Sequence, residues 1–371
     1  MSTSLSATDI TIVGAGPAGA TASLFLAREG IPHTIIDRAT FPRDKADGNV
    51  YGTKVIETLD RLDPNYFPEL LANGALGCNV ARVFTPNGKP FNLRFPTSNG
   101  NGTGDRTETE LGEDAPFFTM NRRDFDNFLV SKLDRNYADV RLGATLTHLE
   151  RQQDRWNVTL EISGEGTTET TTETTTLNPK LIIAADGANS TVLQKLGIAQ
   201  PIERYYDSVQ GYFRGVTGFE GTEISHIESH FLPESNPGFF FIAPLADGIF
   251  NVGVGKPRSD VQQQNVDLSE LLHEVMRHHP QLSTRFTHAE SASELRSWPV
   301  MVGPSERVSV SGSGYLVTGD AARLCNPLTC FGTGNSMVSG MLAASQVKQS
   351  ITQQRFDGET LKTYDRALYD R

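Results

Sequence analysis

Three glycines and an acid near the N-terminus are spaced to hold a dinucleotide. Gly14, Gly16 and Gly19 form a Gly-x-Gly-x-x-Gly turn directly after the apolar run Ile10-Thr11-Ile12-Val13. Gly14 permits a tight turn, Gly16 lets the backbone approach a pyrophosphate, and Gly19 lets the following helix pack closely on the strand. The start of that helix presents free N–H groups and a positive dipole end to phosphate. Asp37 closes a second apolar run, Thr34-Ile35-Ile36, about 20 residues on, where a ribose hydroxyl needs an acceptor. Two later stretches repeat part of this logic. Ile182-Ile183-Ala184-Ala185 ends in Asp186-Gly187, with Ser190 as a candidate helix N-cap. The run Gly314-Tyr-Leu-Val-Thr-Gly319 ends in Asp320, an acid suited to a polyol hydroxyl. Gly332 and Gly334 then precede a helix over 336–345 and again offer N–H groups to an anion.

The elements that must carry these residues are a strand, a glycine turn, a helix and a second strand over 10–38. A signal peptide is the competing reading of that apolar start, and the segment before it lacks the basic residues one needs. Pro42 and Gly48 make 41–48 a loop, in which Arg43 and Lys45 either meet phosphates or stay solvated. Residues 53–73 read as helix broken by prolines. Residues 79–95 read as two strands around Pro86-Asn87-Gly88. The polar stretch 96–115 reads as a surface loop or flap. Residues 119–133 form an amphipathic helix with Phe125, Phe128, Leu129 and Leu133 on one face. Arg122 and Arg123 at its start oppose the helix dipole, so an anionic ligand or Asp124 and Asp126 must compensate. Strands follow over 140–183, with a Thr-rich hairpin tip, and 201–300 is strand-rich with one helix near 267–278. A strand-rich segment in a chain that opens as strand–helix–strand implies a second, substrate-side domain.

At 371 residues, the chain is long enough for two domains. A net charge of -11 excludes nucleic acid as an expected partner. Three cysteines without a pairing pattern (Cys78, Cys325, Cys330) point to a reducing, cytoplasmic setting. No apolar run is long enough for a membrane span, while peripheral membrane contact stays open. His226, Glu228 and His230 alternate and so share one face of a strand. Their types suit a metal, but the polar face of a half-buried strand is the favoured reading, and no metal site is expected.

Taken together, the glycine turn with Asp37, Asp186-Gly187, Gly319-Asp320 and the strand-rich insertion resemble the FAD-dependent hydroxylase superfamily that shares the p-hydroxybenzoate hydroxylase fold. Phe41-Pro-Arg-Asp-Lys45, Asn251-Val-Gly-Val-Gly255 and Asn326-Pro-Leu-Thr329 look most like the geranylgeranyl reductase family, which reduces isolated double bonds of polyprenyl chains with reduced FAD. The resemblance implies an α/β fold, a Rossmann-like FAD-binding domain of the glutathione-reductase type with an inserted antiparallel-sheet substrate domain. The expected division is FAD domain over 1–78, substrate strands and flap over 79–115, and FAD domain with a strand meander over 116–200. The substrate sheet then covers 201–300, the FAD domain resumes over 301–350, and 351–371 is a C-terminal helix.

The same resemblance implies the site. Gly14, Gly16, Ala18 and Gly19 would hold the FAD pyrophosphate, and Asp37 the adenosine ribose, with Arg38 and Arg43 as further cofactor-side candidates. Asp47, Gly48 and Val50 would run beside the isoalloxazine. Arg122 would contact the cofactor, Leu146 would meet the adenine side, Asp320 would bind ribityl or pyrophosphate oxygens, and Gly332 and Thr333 would face the pyrimidine edge. Phe239 and Phe241 would line the substrate cavity, although plain sheet core explains them equally well. No acid or base stands out as catalytic; Asp47 and Cys330 are the weak candidates. Cys325 and Cys330 form a redox pair or, more simply, two small buried thiols.

This sequence also departs from the reductases. Asp47 stands where they carry Cys, Cys330-Phe331-Gly332 replaces Gly-Glu-Gly, and the Trp of an aromatic strand is absent from Phe239–Pro244. The activity the resemblance implies is hydride transfer from reduced flavin to a carbon–carbon double bond of an isoprenoid-like or other hydrophobic substrate, and these departures shift weight from it toward oxygen chemistry. The alternative is a monooxygenase hydroxylating an aromatic or polyketide-like substrate through a C4a-hydroperoxide. The flavin halogenases are more distant, since their Trp-x-Trp-x-Ile-Pro signature is missing, and a non-enzymatic flavin or lipid carrier is the bland option. No second glycine motif is present, so NAD(P)H would dock transiently or a separate reductase protein would deliver electrons.

Overall fold

The computed structural model describes residues 9–45, 48–94, 116–163, 172–198, 205–219, 226–236, 238–301, 308–326 and 330–370. The whole polar 96–115 flap, the tip of the Thr-rich hairpin, Asp47 and Pro327–Thr329 therefore lie outside the described residues. The chain divides into two compact units. One comprises Met1–Arg43, Asp126–Glu203 and Gly303–Arg371, the other Asp44–Phe125 and Arg204–Val302.

The first unit is built on a six-stranded sheet. Its strands run in the order Ser311–Gly312, Tyr315–Val317, Leu181–Ala184, Ile10–Val13, His33–Asp37 and Ala138–Leu142. All neighbours are parallel except the first pair. The central strands are buried along their whole length, as a parallel sheet covered on both faces requires. Helix Pro17–Arg28 packs against helix Thr333–Gln353. The contact is close because Gly340 sits on Ala18, where a Cβ would overlap the Ala18 carbonyl oxygen. An antiparallel meander of Ala144–Gln152, Arg155–Ser163 and Thr172–Leu177 completes the expected strand hairpins. The C-terminal helix Gly358–Tyr369 is capped by Asp357, which accepts from the Thr360 N–H at 3.0 Å. It is tied to the sheet by the Tyr364 hydroxyl donating to the Val317 carbonyl at 2.9 Å.

The second unit is organised by a larger sheet of Glu290–Ser291, Tyr205–Arg214, Ile249–Pro257, Phe239–Pro244, His226–His230, Val80–Phe84 and Pro90–Arg94, with Arg296–Met301 also paired to Tyr205–Arg214. Every pairing is antiparallel except that of His226–His230 with Val80–Phe84. The strands expected over 201–300 are all antiparallel to one another, and the one parallel pair arises where the 79–95 hairpin joins the sheet. One face carries Val209, Phe240, Ile242, Val252 and Val254, packed on Leu268, Leu272 and Val275 of helix Leu268–His278. Strand alternation puts Gln210, Tyr212, Asn251, Gly253, Gly255, Phe239 and Phe241 on the other face. Helix Arg258–Gln264 was not legible in the sequence. It is polar, has no apolar stripe, and is held by Arg258 in a two-pronged pair with Asp207 at 2.7–3.1 Å.

Candidate functional site

In the first unit the glycine turn is formed as its residue types require. Gly14 has φ +104°, and a Cβ there would overlap the Ala185 carbonyl. Gly19 has no room for a Cβ because it packs on the Gly14 carbonyl. Gly16 differs from both: the nearest atom to a Cβ there is Arg43 Nη2 at 3.6 Å. Gly16 is also the N-cap of helix Pro17–Arg28, and no side chain caps that helix. The first-turn N–H groups therefore remain available to an anion. Arg43 lies beside this opening, pairs with the buried Asp126 at 3.3 Å, and leaves its own buried Nε without a hydrogen-bond partner. Arg43 thus stands beside the glycine turn and is not fully solvated. Asp37 is buried and accepts from Ala15 N–H at 2.7 Å and Ala39 N–H at 2.9 Å. Its first structural job is thus to fix the glycine turn. Arg38 is exposed, and Ala18 is buried in the helix interface.

Asp186 is structural too. Its carboxylate accepts from the Ser190 hydroxyl at 2.6 Å and the Val192 N–H at 3.0 Å, while Ser190 caps Leu193 as expected. Burial raises its pKa against those hydrogen bonds. Asp320 lies in the short 3-10 turn Gly319–Ala322, whose Gly319 N–H donates to Ser339 Oγ at 2.9 Å. Its carboxylate lies 3.4 Å from where a Gly332 Cβ would sit, so Asp320 and Gly332 are brought together. Gly332 N-caps helix Thr333–Gln353, again without a side-chain cap. The helix extends well past the expected end at 345. Neither Cys325 nor Cys330 is in a disulfide. Burial pushes the Cys330 thiol up to about 11, so it stays protonated near neutrality. Leu146 is buried in the meander, opposite Leu160.

The second unit holds the remaining candidates. Gly48 is exposed, and Val50 lies in the short strand Val50–Tyr51. Arg122 is buried, and its N–H donates to Asn49 Oδ1 at 3.0 Å. Arg123 instead approaches Asp44, at 4.0 Å. Phe239 and Phe241 are half-buried. Their rings lie over Gly255 and Gly253 of the neighbouring strand, where added Cβ atoms would stand 3.1 and 2.6 Å away. The two glycines of Asn251-Val-Gly-Val-Gly255 thus make room for an aromatic floor on the face opposite the core.

Beside that floor is a cavity of about 180 Å³ whose lining includes Gln210, Tyr212, Asn251, Ser293 and Arg296. The Tyr212 hydroxyl donates to Asn49 Oδ1 at 3.4 Å, and burial raises its pKa. Asn49 and Asn251 are both 1% exposed, yet Asn49 Nδ2 and Asn251 Oδ1 have no partner. Sequence reasoning missed Asn49, Tyr212 and Arg296 as site residues, since nothing local marks them; only the Tyr212–Asn251 register brings the cluster together.

The His226-Glu228-His230 strand corrects an expectation. Its three side chains do share a face, but they are 2–3% exposed rather than half-buried. Glu228 accepts from His226 at 3.1 Å, His230 at 2.9 Å and Arg285 at 2.6 Å. Burial, the largest single influence on Glu228, favours the neutral acid. The two histidine hydrogen bonds and the Arg285 charge outweigh it and hold the carboxyl far below its ordinary range. The reason the sequence misled is Arg285, a distant residue that supplies the counter-charge.

A parallel sheet with a glycine cradle after its first strand, an uncapped helix and an orphaned arginine nitrogen beside it define a dinucleotide-binding protein, and the donor set fits the pyrophosphate of FAD. Residues 7–368 match the FAD binding domain family, and the chain belongs to it. It is an FAD-dependent oxidoreductase. It is 28% identical to digeranylgeranylglycerophospholipid reductase 2 of Methanopyrus kandleri, across 96% of this chain and 81% of that protein. It is 30% identical to menaquinone reductase of Mycobacterium tuberculosis, across 91% and 75%. A geranylgeranyl bacteriochlorophyll reductase-like protein from Thermoplasma acidophilum has the same fold. Its TM-score is 0.80 at 20% identity, covering 98% of this chain and 83% of that one.

Proposed function

We propose that this protein reduces a carbon–carbon double bond of a polyprenyl-type or similarly hydrophobic substrate, using reduced FAD. The observation that carries the reading is similarity along nearly the whole chain, through both units, to reductases named for a digeranylgeranyl lipid and for menaquinone. Bound FAD would supply a hydride to the alkene carbon. The chain's own work is to hold and orient. Gly14, Gly16 and Gly19 would seat the pyrophosphate, with the Pro17–Arg28 helix N-terminus and Arg43 neutralising its charge. Asp37, Arg38, Arg122, Leu146, Asp320, Gly332 and Thr333 are the remaining cofactor-side assignments. The second unit would serve the substrate, with Phe239 and Phe241 offering a dry surface to an apolar chain.

Among the described residues no helix is long and apolar enough to cross a membrane. We place the enzyme in the cytoplasm, reaching lipid peripherally and taking electrons from NAD(P)H or from a separate donor protein. The test is product analysis. Holoenzyme, a chemical reductant and geranylgeraniol are incubated under argon and the lipid is analysed by mass spectrometry. The expected product carries two added hydrogens per reduced bond. An unchanged lipid, with oxygen incorporated into an aromatic substrate once air is admitted, would replace this reading with the monooxygenase.

A further inference from the structure

We propose that the second unit contains a head-group subsite for a neutral, hydroxyl-bearing amphiphile, with Asn251 Oδ1 accepting the head hydroxyl and the Phe239–Phe241 floor carrying the apolar chain. This rests on the reading above only in taking the ligand to be the substrate.

Four observations carry it. First, Asn251, which lines the cavity, buries its Oδ1 with no partner, and a buried acceptor left unsatisfied is unfavourable. Its amide orientation is fixed by the bond it does make, Asn251 Nδ2 to the Gly211 carbonyl at 3.4 Å. The orphan at the cavity is therefore an acceptor, which a hydroxyl satisfies by donating to it. Second, the charged groups at the cavity cancel: Asp44 and Glu294 stand against Lys45 and Arg296, and Arg296 already pairs with Asp44 at 3.3 Å. An anionic head meets no net positive field there.

Third, about 180 Å³ is below the roughly 300–1,000 Å³ of sites that enclose a whole drug-sized ligand. The cavity takes a small head and leaves the chain outside it. Fourth, the same sheet face continues from Tyr212 and Asn251 to Gly253 and Gly255, with Phe241 and Phe239 over them. A polar end and an apolar track lie in line on one surface, as in the molecule they would bind.

The probes are geranylgeraniol and geranylgeranyl diphosphate, which share a chain and differ in head charge. Their binding to the FAD-loaded full chain is measured by equilibrium dialysis. The alcohol should bind at least tenfold tighter than the diphosphate. Asn251→Leu should weaken alcohol binding about tenfold with FAD content unchanged, and Tyr212→Phe should weaken it severalfold. Tighter binding of the diphosphate, binding of neither probe, or alcohol affinity unmoved in both variants overturns the subsite. Reduction of geranylgeraniol by the wild type without the predicted preference leaves the reductase and removes the subsite. The predicted preference without reduction under argon leaves the subsite and removes the reductase.

Discussion

The second unit buries two polar clusters, and they are finished to different degrees. Around Glu228, both carboxylate oxygens are engaged, by His226 on one side and by His230 and Arg285 on the other. Phe84 stacks on His230 at 4.1 Å, and Phe219 stacks on His226 at 4.8 Å and lies under Arg285. Apart from Arg285 Nη2, the cluster is internally satisfied. Around Asn251, by contrast, the side chains border a cavity, and the Asn251 Oδ1 acceptor is left over. A closed network of charges stabilises a fold only while it is whole. An open network of neutral groups is unfavourable until something arrives to complete it. The first is architecture, and the second has the chemistry of recognition.

Breaking the closed cluster should have the largest effect. Glu228→Gln leaves Arg285 buried without its counter-charge, and a loss of about 3–5 kcal/mol is expected in urea unfolding. The same cluster sets an acid limb. Glu228 has a lowered folded pKa, so its stabilisation is complete above the unfolded value, about 4.3, and is lost as pH falls below it. Burial, the leading cause, also lowers His230, so the folded state resists its protonation and stability declines from about pH 6.5 downward. In Glu228→Gln the limb below pH 4.3 should flatten.

The open cluster should answer with the opposite sign. Asn251→Leu removes an orphaned acceptor, so the ligand-free protein should be unchanged or up to about 1 kcal/mol more stable in the same unfolding measurement. A loss as large as that of Glu228→Gln would mean that Asn251 is architecture as well.

The glycine cradle divides in a comparable way. Gly16→Val meets only the Arg43 side chain, at the ordinary contact distance of 3.6 Å, so the chain should fold, with FAD affinity reduced on the order of 100-fold by dialysis, about 2.7 kcal/mol. Gly14→Val would collide with the Ala185 carbonyl and should cost folding itself. The smallest effect is expected at Cys330. With its thiol pushed up to about 11, Cys330→Ser should leave activity at pH 7 within about twofold.

What the sequence disclosed follows from how local each signal is. The strand, Gly14–Gly19 and Asp37 lie within one strand–helix–strand stretch, so their arrangement was legible; the part Asp37 plays in holding Ala15 was not. Ser190 was legible as a cap for the same reason. Phe239 and Phe241 were legible as candidates, but their partner glycines became meaningful only through the strand register. Asn49, Tyr212, Asn251 and Arg296 come from four separate segments, and Arg285 reaches Glu228 across 57 positions. No period or spacing in the chain encodes such meetings; tertiary pairing creates them. Helix Arg258–Gln264 was missed because it carries no apolar stripe, and most helical signal in a sequence is that stripe.

The most direct test of the reductase reading is rapid mixing of the anaerobically reduced holoenzyme with geranylgeraniol under argon, followed at the oxidised-flavin absorbance. The reading predicts reoxidation that depends on alkene concentration, with one double bond reduced for each flavin oxidised. Flavin that stays reduced until air is admitted, and then oxidises faster with an aromatic substrate present, would contradict it.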